Sequence, residues 1–255
     1  TWTPAQPGTY SIYAKVNLAG DQNTTNDQSH SIPVSVQDPG ALVVTIGTDT
    51  TANSTTGVPT PYGTRYKNFR QQYLYKADEL FANGAAPGLI NSLAFEVSAV
   101  NNCSPMPNFT IKLKHTQLDE LTTTFEDGDY TQVFFEDNFL PIEGWNVHAF
   151  DTPFLWNGID NILVDIITTI IPGDYTQNAG VYYTETPGTY TSLRYQSDSS
   201  PAANATTGTR SRNRANIRLF LNVSGMGSLS GTVTSDGVTV PDVNIQINDT
   251  LYSTA

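Results

Sequence analysis

The sequence predicts an all-β protein, and three features carry that prediction. Charged residues make up only 14% of the 255 residues, and Thr, Asn, Ser, Gly and Pro take their place. β-Branched and aromatic residues suit a pleated strand, whereas Gly, Pro and Asn suit turns. Short apolar runs recur between turn clusters, and only KADELFANG has the spacing of a short helix, with Gly84 as its stop. Many short strands at this spacing predict a sandwich or a barrel.

Residues 1–37 predict strands joined by a polar hairpin loop. Apolar and polar residues alternate over 10–18 and again over 32–36, which is the period of a strand. Two or three strands bury too little apolar surface to fold alone. The spacing of Trp2, Pro4, Gly8 and Tyr10, together with the polar loop, resembles the last strands of an Ig-like domain of bacterial surface proteins.

Residues 42–223 form the largest predicted unit. The linker signals QDPGA and VSGMGS lie on either side of it. Turn clusters such as NGAAPG and TETPGT separate its strand-like runs. These runs are 42–46, 69–75, 89–97, 108–115, 130–135, 145–150, 161–167, 179–184, 190–195 and 214–223.

Residues 229–255 begin another β unit. The tripeptide SDG is a tight-turn signal, and apolar residues alternate with polar ones over 243–247. GTV at 231–233 and VPDVNI at 240–245 resemble the opening of a carboxypeptidase-regulatory-like domain, a small β-sandwich. Both ends of the chain therefore fall inside β domains. We expect a piece of a longer polypeptide, with neighbouring domains of the same chain as partners.

Five stretches of the central unit resemble a repeat-like β domain of secreted and cell-surface proteins of Bacteroidota bacteria, many of them exported by type IX secretion. They are RQQYLYKADEL (70–80), GLINSLAFEVS (88–98), MPNFTIKLKHT (106–116), GWNVHAFDTPFLWNGIDNILVDI (144–166) and RANIRLFL (214–221). The sequence departs from that pattern at Ala215, where the family's final strand has proline. The resemblance implies a large antiparallel β-sandwich, jelly-roll-like, between partial Ig-like segments. It also implies an extracellular or cell-surface location, and no particular ligand.

The stretch 144–166 poses the sharpest question, because two tryptophans and three aspartates could form either a site or a core. Large aromatic side chains dominate the energetics of a core, which favours Trp145 and Trp156 as core or core-edge residues. NILVDII is apolar on both faces except at Asp165, as in a central strand. A buried carboxylate is costly unless it is paired or metal-bound. Whether Asp151 meets Asp165 depends on the fold.

The charge of the chain restricts the kinds of molecule that it can bind. The net charge of −12 disfavours nucleic acid as a main partner, and no apolar run reaches the ~20 residues of a transmembrane helix. No Lys or Arg occurs between 115 and 193, yet more than half of the 24 acidic residues lie there. This acidic stretch is either a solvated face or a divalent-cation site, which leaves a structural calcium open. No other cofactor is expected.

Catalytic motifs are missing from the sequence. It contains no HExxH, no GxSxG, no phosphate-binding glycine loop and no CxxC. Paired carboxylates of a glycosidase could arise by chance, but nothing indicates such a pair. Cys103 is the one cysteine, which excludes a disulfide within the chain and predicts a small core or loop residue. We therefore predict no catalytic and no cofactor-binding residue in this chain.

Two basic stretches have alternative interpretations. YGTRYKNFRQQYLYK (62–76) interleaves cations with aromatics and could stack on sugar rings or bases. The alternative is a strand whose aromatics face inward and whose cations face out. RSRNRANIR predicts Arg210, Arg212 and Arg214 on one strand face, either solvated or holding an acidic partner that includes the protein's own acidic stretch.

These observations predict a non-catalytic adhesion or display segment that contacts surface glycans or proteins. A carbohydrate-binding accessory module of a secreted hydrolase and a purely structural spacer are the alternatives. Asp249-Thr250-Leu251 also resembles the short signal at which Bacteroidota attach O-glycans to exported proteins. Thr250 is therefore the predicted glycan site. Thr50 and Thr152 also follow an aspartate but lack the apolar residue after the threonine.

Overall fold

The computed structural model describes residues 8–12, 32–36, 41–169, 171, 173, 176–222, 234–235, 238–239, 244–247 and 250–253. One short α-helix, α1 (Ala77–Ala82), one 3-10 helix (Ala202–Asn204) and nineteen strands lie in these ranges. The strands are β1 (Gly8–Ile12), β2 (Ile32–Val36), β3 (Leu42–Ile46), β4 (Thr51–Ala52), β5 (Asn68–Tyr75), β6 (Gly88–Ala99), β7 (Met106–Thr116), β8 (Thr131–Phe139), β9 (Gly144–Trp156), β10 (Asn161–Thr168), β11 (Gly180–Glu185), β12 (Ser192–Ser197), β13 (Thr209–Ser211), β14 (Asn213–Ala215), β15 (Ile217–Asn222), β16 (Thr234–Ser235), β17 (Val238–Thr239), β18 (Asn244–Ile247) and β19 (Thr250–Ser253).

Two antiparallel sheets form the body of the molecule. The first sheet has the order β13-β12-β5-β10-β7-β8, and the second has the order β14-β11-β6-β15-β3. β9 also pairs with β6, and β4 pairs with β11. From β5 to β15 the chain passes repeatedly from one sheet to the other, which is typical of a jelly-roll-like sandwich. This arrangement confirms the predicted all-β antiparallel sandwich.

The main core lies between the two sheets. Tyr73 of β5, Phe109 of β7 and Val164 of β10 face Phe95 and Trp156 of the second sheet, and all five are fully buried. Because side chains alternate along a strand, the intervening residues point to the opposite face. Aromatic side chains of this size contribute much of the apolar area that the fold removes from water.

A smaller core covers the outer face of the first sheet. Leu74, Leu163 and Leu193, from three adjacent strands, pack against Leu121 and Phe125 of the segment between β7 and β8. That segment is held to the segment before β13 by the backbone bonds Phe125 N to Thr206 O and Gly208 N to Thr123 O. β10 is therefore covered on both faces, as its continuous apolar run predicts.

Every predicted run between 42 and 223 overlaps a strand, and α1 confirms the predicted helix. The helix stops before Gly84, whose φ of +85° lies in the left-handed region that glycine adopts easily. The short strands β4 and β13 escaped prediction because they lie in stretches rich in Thr, Ser and Arg.

The chain divides into two compact units, Thr1–Ser224 and Gly225–Ala255. In the first unit β1 pairs with β2 as a hairpin, as the alternation at 10–12 and 32–36 predicts. The predicted continuation of the first strand to residue 18 lies outside the described residues. In the second unit β16 pairs with β17, and β18 pairs with β19, while most of the predicted SDG turn lies outside the described residues. The domain boundaries at 37, 42, 223 and 229 stay predictions.

Candidate functional site

A buried charged network surrounds Arg70 on the outer face of the first sheet. Its guanidinium donates to both carboxylate oxygens of Asp165, from Nε at 2.9 Å and from Nη2 at 3.1 Å. Nη2 also donates to Asp127 Oδ1 at 2.6 Å, and Nη1 donates to the carbonyl of Ala205 at 3.0 Å. Phe125 lies against the guanidinium, 4.4 Å from ring centroid to Cζ. The fork of Arg70 is thus well partnered, as a buried cation requires.

Gln72 and Lys114 fix the acidic segment that covers this network. The side-chain amide of Gln72 donates to the carbonyl of Glu126 at 2.7 Å and accepts its N–H at 3.1 Å. Lys114 Nζ lies 3.4 Å from Glu126 Oε2 and 4.9 Å from the ring centroid of Tyr130. Part of the acidic stretch therefore neutralises cations of the sheet. The two carboxylates raise the pKa of Arg70 in spite of its burial, so its guanidinium stays charged.

A cavity of about 330 Å³ adjoins this network. Its wall includes Arg70, Asp127 and Asp165, whose charges already satisfy one another, together with Lys112, Asp129 and Tyr130. The arrangement is that of a structural ion-pair network with an opening at its side.

A second hollow of about 370 Å³, the β12 cleft, lies at the edge of the first sheet. β13 pairs with β12 only from Ser192 to Arg194, whereas β5 pairs with it as far as Ser197. Beyond Arg194, β12 therefore pairs with β5 on one side. On its other side, the chain before β13 is not paired with β12 in the described ranges. The residues of the cleft are Tyr66, Arg194, Tyr195, Gln196, Thr207, Gly208 and Thr209.

Two segments border the β12 cleft, the one before β5 and the one before β13, and contacts to their backbone position both. Asn178 Oδ1 accepts the N–H groups of Thr64 and Arg65 at 3.0 and 2.9 Å, which positions the segment that presents Tyr66. On the other side, a Cβ at Gly208 would lie 2.4 Å from the carbonyl oxygen of Arg194. Only glycine lets the loop approach β12 this closely. These contacts position both segments of the cleft beside β12.

Two donors in the β12 cleft lack protein partners. Among the described residues, no side-chain hydrogen bond or ion pair is formed by the half-buried guanidinium of Arg194. Burial lowers the pKa of Arg194, and the neighbouring Tyr66 acts in the opposite direction. Gln196 Nε2 is buried and has no hydrogen-bond partner in the part of the chain that the structure describes. A buried donor without a partner is costly, which makes this edge receptive to an acceptor from outside.

His148 and Tyr62 form a polar pair inside the main core. Tyr62 Oη lies 2.7 Å from His148 Nε2, and both side chains are fully buried. Phe109 and Phe139 lie against the imidazole, with centroids 5.3 and 4.8 Å away. Burial lowers the pKa of His148 to about 3 and raises that of Tyr62. Both groups are therefore neutral at pH 7 and enclosed by the sandwich.

Cys103 is a partly buried free thiol beside this core, as the sequence predicts. Thr64 Oγ1 donates to its Sγ at 3.4 Å, and burial raises its pKa. A raised pKa keeps the thiol protonated, which gives it little nucleophilic character.

The two predicted tryptophans occupy different environments. Trp156 is fully buried and donates from Nε1 to the carbonyl of Asp160 at 2.8 Å. Trp145 is half-buried beside the core, where the guanidinium of Arg218 lies 3.9 Å from its ring centroid. Both positions confirm that this stretch is a structural part of the sandwich.

The two aspartates of that stretch serve separate contacts. Asp165 is paired with Arg70, which confirms that its burial requires a partner. Asp151 is exposed on β9 and accepts the N–H of Phe135 of β8 at 3.2 Å. In the described ranges, no group of three or more His, Cys, Asp or Glu side chains could hold a metal ion.

The prediction that three arginines share one strand face is wrong. The chain passes from β13 in the first sheet to β14 in the second at Arg212, which separates their directions. Arg210 and Arg212 lie over the ring of Tyr190, at 3.8 and 5.1 Å. Arg214 is buried and pairs with Glu79 of α1. Of the three arginines, Arg214 pairs with an acidic residue in the described ranges. That residue, Glu79, lies on α1 and not in the acidic stretch that the sequence suggested as a partner.

The stretch 62–76 is partly a strand with inward-facing aromatic residues and partly an exposed aromatic surface. Phe69, Tyr73 and Tyr75 face inward, as expected for a strand. Arg70 points to the outer face but is covered by the acidic segment, so it is not solvated. Tyr66 is 38% exposed and lines the β12 cleft.

Sequence reasoning missed the other residues of the cleft. Residues 194–196 read as an ordinary strand, and 207–209 as an ordinary loop. Their meeting with Tyr66 depends on tertiary pairing between β5 and β12. Thr250 opens β19 opposite Ile247 of β18, and its modification stays a prediction.

No protein family model matches this chain, and no curated protein matches it. Among solved structures, it is similar to the cysteine protease and lectin-like domains of a surface layer associated protein of Clostridium difficile. The TM-score is 0.42 and the sequence identity is 7%, over 80% of this chain and 40% of that chain. A likeness of this size supports no inference, so the fold assignment rests on the sheets described above. In the part of the chain that the structure describes, no helical segment has the length and apolar character needed to cross a membrane.

Proposed function

We propose that this chain is a non-catalytic, ligand-binding segment of a larger secreted or cell-surface bacterial protein, serving adhesion or display. The β12 cleft is the observation that supports this proposal. It places two donors without protein partners in the described ranges, Arg194 and Gln196, beside Tyr66 at a sheet edge. Concave sites with aromatic walls and a few convergent polar groups are typical of ligand binding.

The enclosed polar groups favour a binding role over a catalytic one. His148 and Tyr62 are neutral and have no exposed surface. In the Arg70 network, the carboxylates of Asp127 and Asp165 are paired with the guanidinium. General acid–base chemistry needs a titratable group within reach of a substrate, and the enclosed Tyr62–His148 pair does not offer one.

The sequence resemblance supports the extracellular part of the proposal. The five stretches that resemble Bacteroidota surface proteins coincide with β5 and α1, β6, β7, β9 with β10, and β14 with β15. These elements build both layers of the sandwich. We place the chain in that group of exported proteins as part of the same proposal.

A carbohydrate-binding accessory module of a secreted hydrolase is the second candidate. The tyrosines and threonines of the β12 cleft favour it, because aromatic rings pack on the apolar faces of sugars and hydroxyls pair with sugar hydroxyls. The two candidates differ in the parent protein. A hydrolase domain in the full-length gene favours the accessory module, and repeated surface domains favour the adhesin.

A bead-retention assay tests the proposed function. Beads coated with the full chain are applied to an array of glycans, polysaccharides and extracellular glycoproteins. We expect retention above that of uncoated beads, and a loss of retention for the variant Tyr66→Ala. The matched control is Tyr182→Ala, a partly buried tyrosine on β11 outside the cleft. If coated beads bind no surface, the segment acts as a spacer and the proposal is wrong.

The resemblance at Asp249-Thr250-Leu251 adds a modification to the proposal. A glycan on Thr250 would add polar bulk at the start of β19. Peptide mass spectrometry on protein from the native organism decides the point. A hexose on Thr250 with bare Thr50 and Thr152 supports the assignment, and a fully unmodified Thr250 peptide contradicts it.

A further inference from the structure

The β12 cleft contains a cation that the protein does not neutralise. Arg70 and Arg214, the two arginines buried in the described ranges, each pair with a carboxylate, from Asp165 and Glu79 respectively. Arg194 has no such pair among the described residues, and the residues of the cleft include no Asp or Glu. This occurs in a chain with a net charge of −12, where carboxylates are twice as numerous as cations. An unmatched, half-buried arginine in such a chain points to an external anion.

The geometry of the donors favours a carboxylate. A guanidinium is a planar fork that matches the two oxygens of a carboxylate. Gln196 Nε2, two residues further along the same strand, is a buried neutral donor on the same face, without a hydrogen-bond partner among the described residues. One charged group and one amide suit a ligand with a single negative charge.

The remaining walls favour a sugar as the carrier of that carboxylate. Thr207 and Thr209 are hydroxyl-bearing residues of the cleft, and Tyr66, which is 38% exposed, adds an aromatic ring with a polar tip. The wall includes no aliphatic side chain, which is unlike a site for a fatty acid or another hydrocarbon. A volume of about 370 Å³ lies at the small end of ligand sites, and it suits one or two sugar rings.

We infer that the β12 cleft binds a carboxylate-bearing sugar, with Arg194 as the charge-recognising residue and Gln196, Tyr66 and Thr209 as its supports. This inference rests on the proposed function and specifies its ligand. A densely sulfated polymer or a nucleic acid fits less well, because a polyanion would be repelled by the protein's net charge of −12.

The test measures affinity for matched sugar probes with the full chain. The probes are oligosaccharides ending in glucuronate, galacturonate or sialate, the methyl esters of these acids, their neutral parents and sulfated counterparts. The esters keep the ring and remove only the charge. We expect an acidic probe to bind about tenfold or more tightly than its ester, as loss of a charge-assisted fork implies.

The variants assign that preference to the cleft. Arg194→Gln is expected to weaken the acidic probe by about tenfold or more and to leave the ester unchanged, and Arg194→Lys to recover part of the loss. Gln196→Leu provides a second variant that keeps the charge and is expected to weaken both probes. The matched control is Arg218→Gln, a half-buried arginine on the second sheet that faces Trp145. Circular dichroism and thermal melting confirm that each variant is folded.

The outcomes separate this inference from the proposed function. Acid-selective binding that depends on Arg194 supports both. Binding of neutral sugars, of esters as tightly as acids, or of acids independently of Arg194 overturns the inference and leaves the adhesion proposal standing. Preference for sulfated probes or nucleic acid also overturns it. A chain that binds no probe and no surface overturns both.

Discussion

Arg70 and Arg194 lie on neighbouring strands of one sheet and occupy opposite situations. Arg70 is buried and meets two carboxylates, a carbonyl and an aromatic ring. Arg194 is half-buried and has Tyr66 as a neighbour but no acid among the described residues. Carboxylates raise the pKa of Arg70, whereas burial lowers that of Arg194. The difference teaches that the partner of a cation, more than its burial, separates a structural arginine from a binding one.

His148 and Gln196 provide a second comparison, between two buried polar atoms without hydrogen-bond partners. Its Nδ1 is buried without a hydrogen-bond partner in the described region, as is Nε2 of Gln196. His148 is enclosed by aromatic rings in the main core, however, whereas Gln196 belongs to the residues that line the β12 cleft. An unpartnered polar atom therefore indicates a site only where a ligand can reach it.

The largest expected effect on stability comes from breaking the Arg70 network. Arg70→Gln leaves Asp165 buried without its cation, which should cost about 3–5 kcal/mol of unfolding free energy. Arg194→Gln removes no protein partner among the described residues and should cost less than about 1 kcal/mol. Urea unfolding of both variants measures the two values. Equal losses would erase the distinction between the two arginines.

The tryptophans provide an effect of similar size in the apolar core. Trp156→Ala removes a fully buried ring and should cost about 3–5 kcal/mol. Trp145→Ala, at a half-buried position facing Arg218, should cost clearly less. Denaturant unfolding of the two single variants gives the comparison. A loss below about 1 kcal/mol for Trp156→Ala would contradict its place in the core.

An effect that depends on pH is expected from His148. Its pKa is about 3 in the folded protein and about 6.5 in the unfolded chain, so the unfolded chain takes up the proton first as pH falls. The contribution to stability is complete above pH 6.5 and is lost as pH falls from there towards 3, at up to about 1.4 kcal/mol per pH unit. Unfolding measured across this range in His148→Phe should show a flatter dependence. An unchanged slope in the variant would show that His148 is not the responsible group.

The sequence predicted the strands of the two sheets more accurately than it predicted the residues of the β12 cleft. Alternation and turn signals are local, so β3, β5 and β10 were predicted nearly to the residue. Asp165 was predicted to need a partner, but its identity was not, because Arg70 and Asp165 meet only through pairing of β5 with β10. The β12 cleft needed three segments, the first of which lies more than a hundred residues before the others, at 66 against 194 and beyond. No local pattern encodes such a meeting.

The arginine prediction at 210–214 failed for a related reason. Alternating arginines indicate a shared face only if one strand continues through them. Here the strand leaves the first sheet at Arg212, and Arg214 turns towards Glu79 of α1. Changes of sheet are a property of the whole sandwich, and single-sequence periodicity does not detect them.

The central claim is that Arg194 is the arginine that meets an external carboxylate, and the arginine Nε–Hε NMR signals test it most directly. The signals of Arg194 and Arg70 are assigned from their loss in Arg194→Gln and Arg70→Gln, and the wild-type chain is titrated with a glucuronate-terminated oligosaccharide and with its methyl ester. We predict that the Arg194 signal moves with the acid and not with the ester, while the Arg70 signal stays fixed. An Arg194 signal that stays fixed while the acid binds elsewhere, or that moves equally with the ester, would contradict the claim.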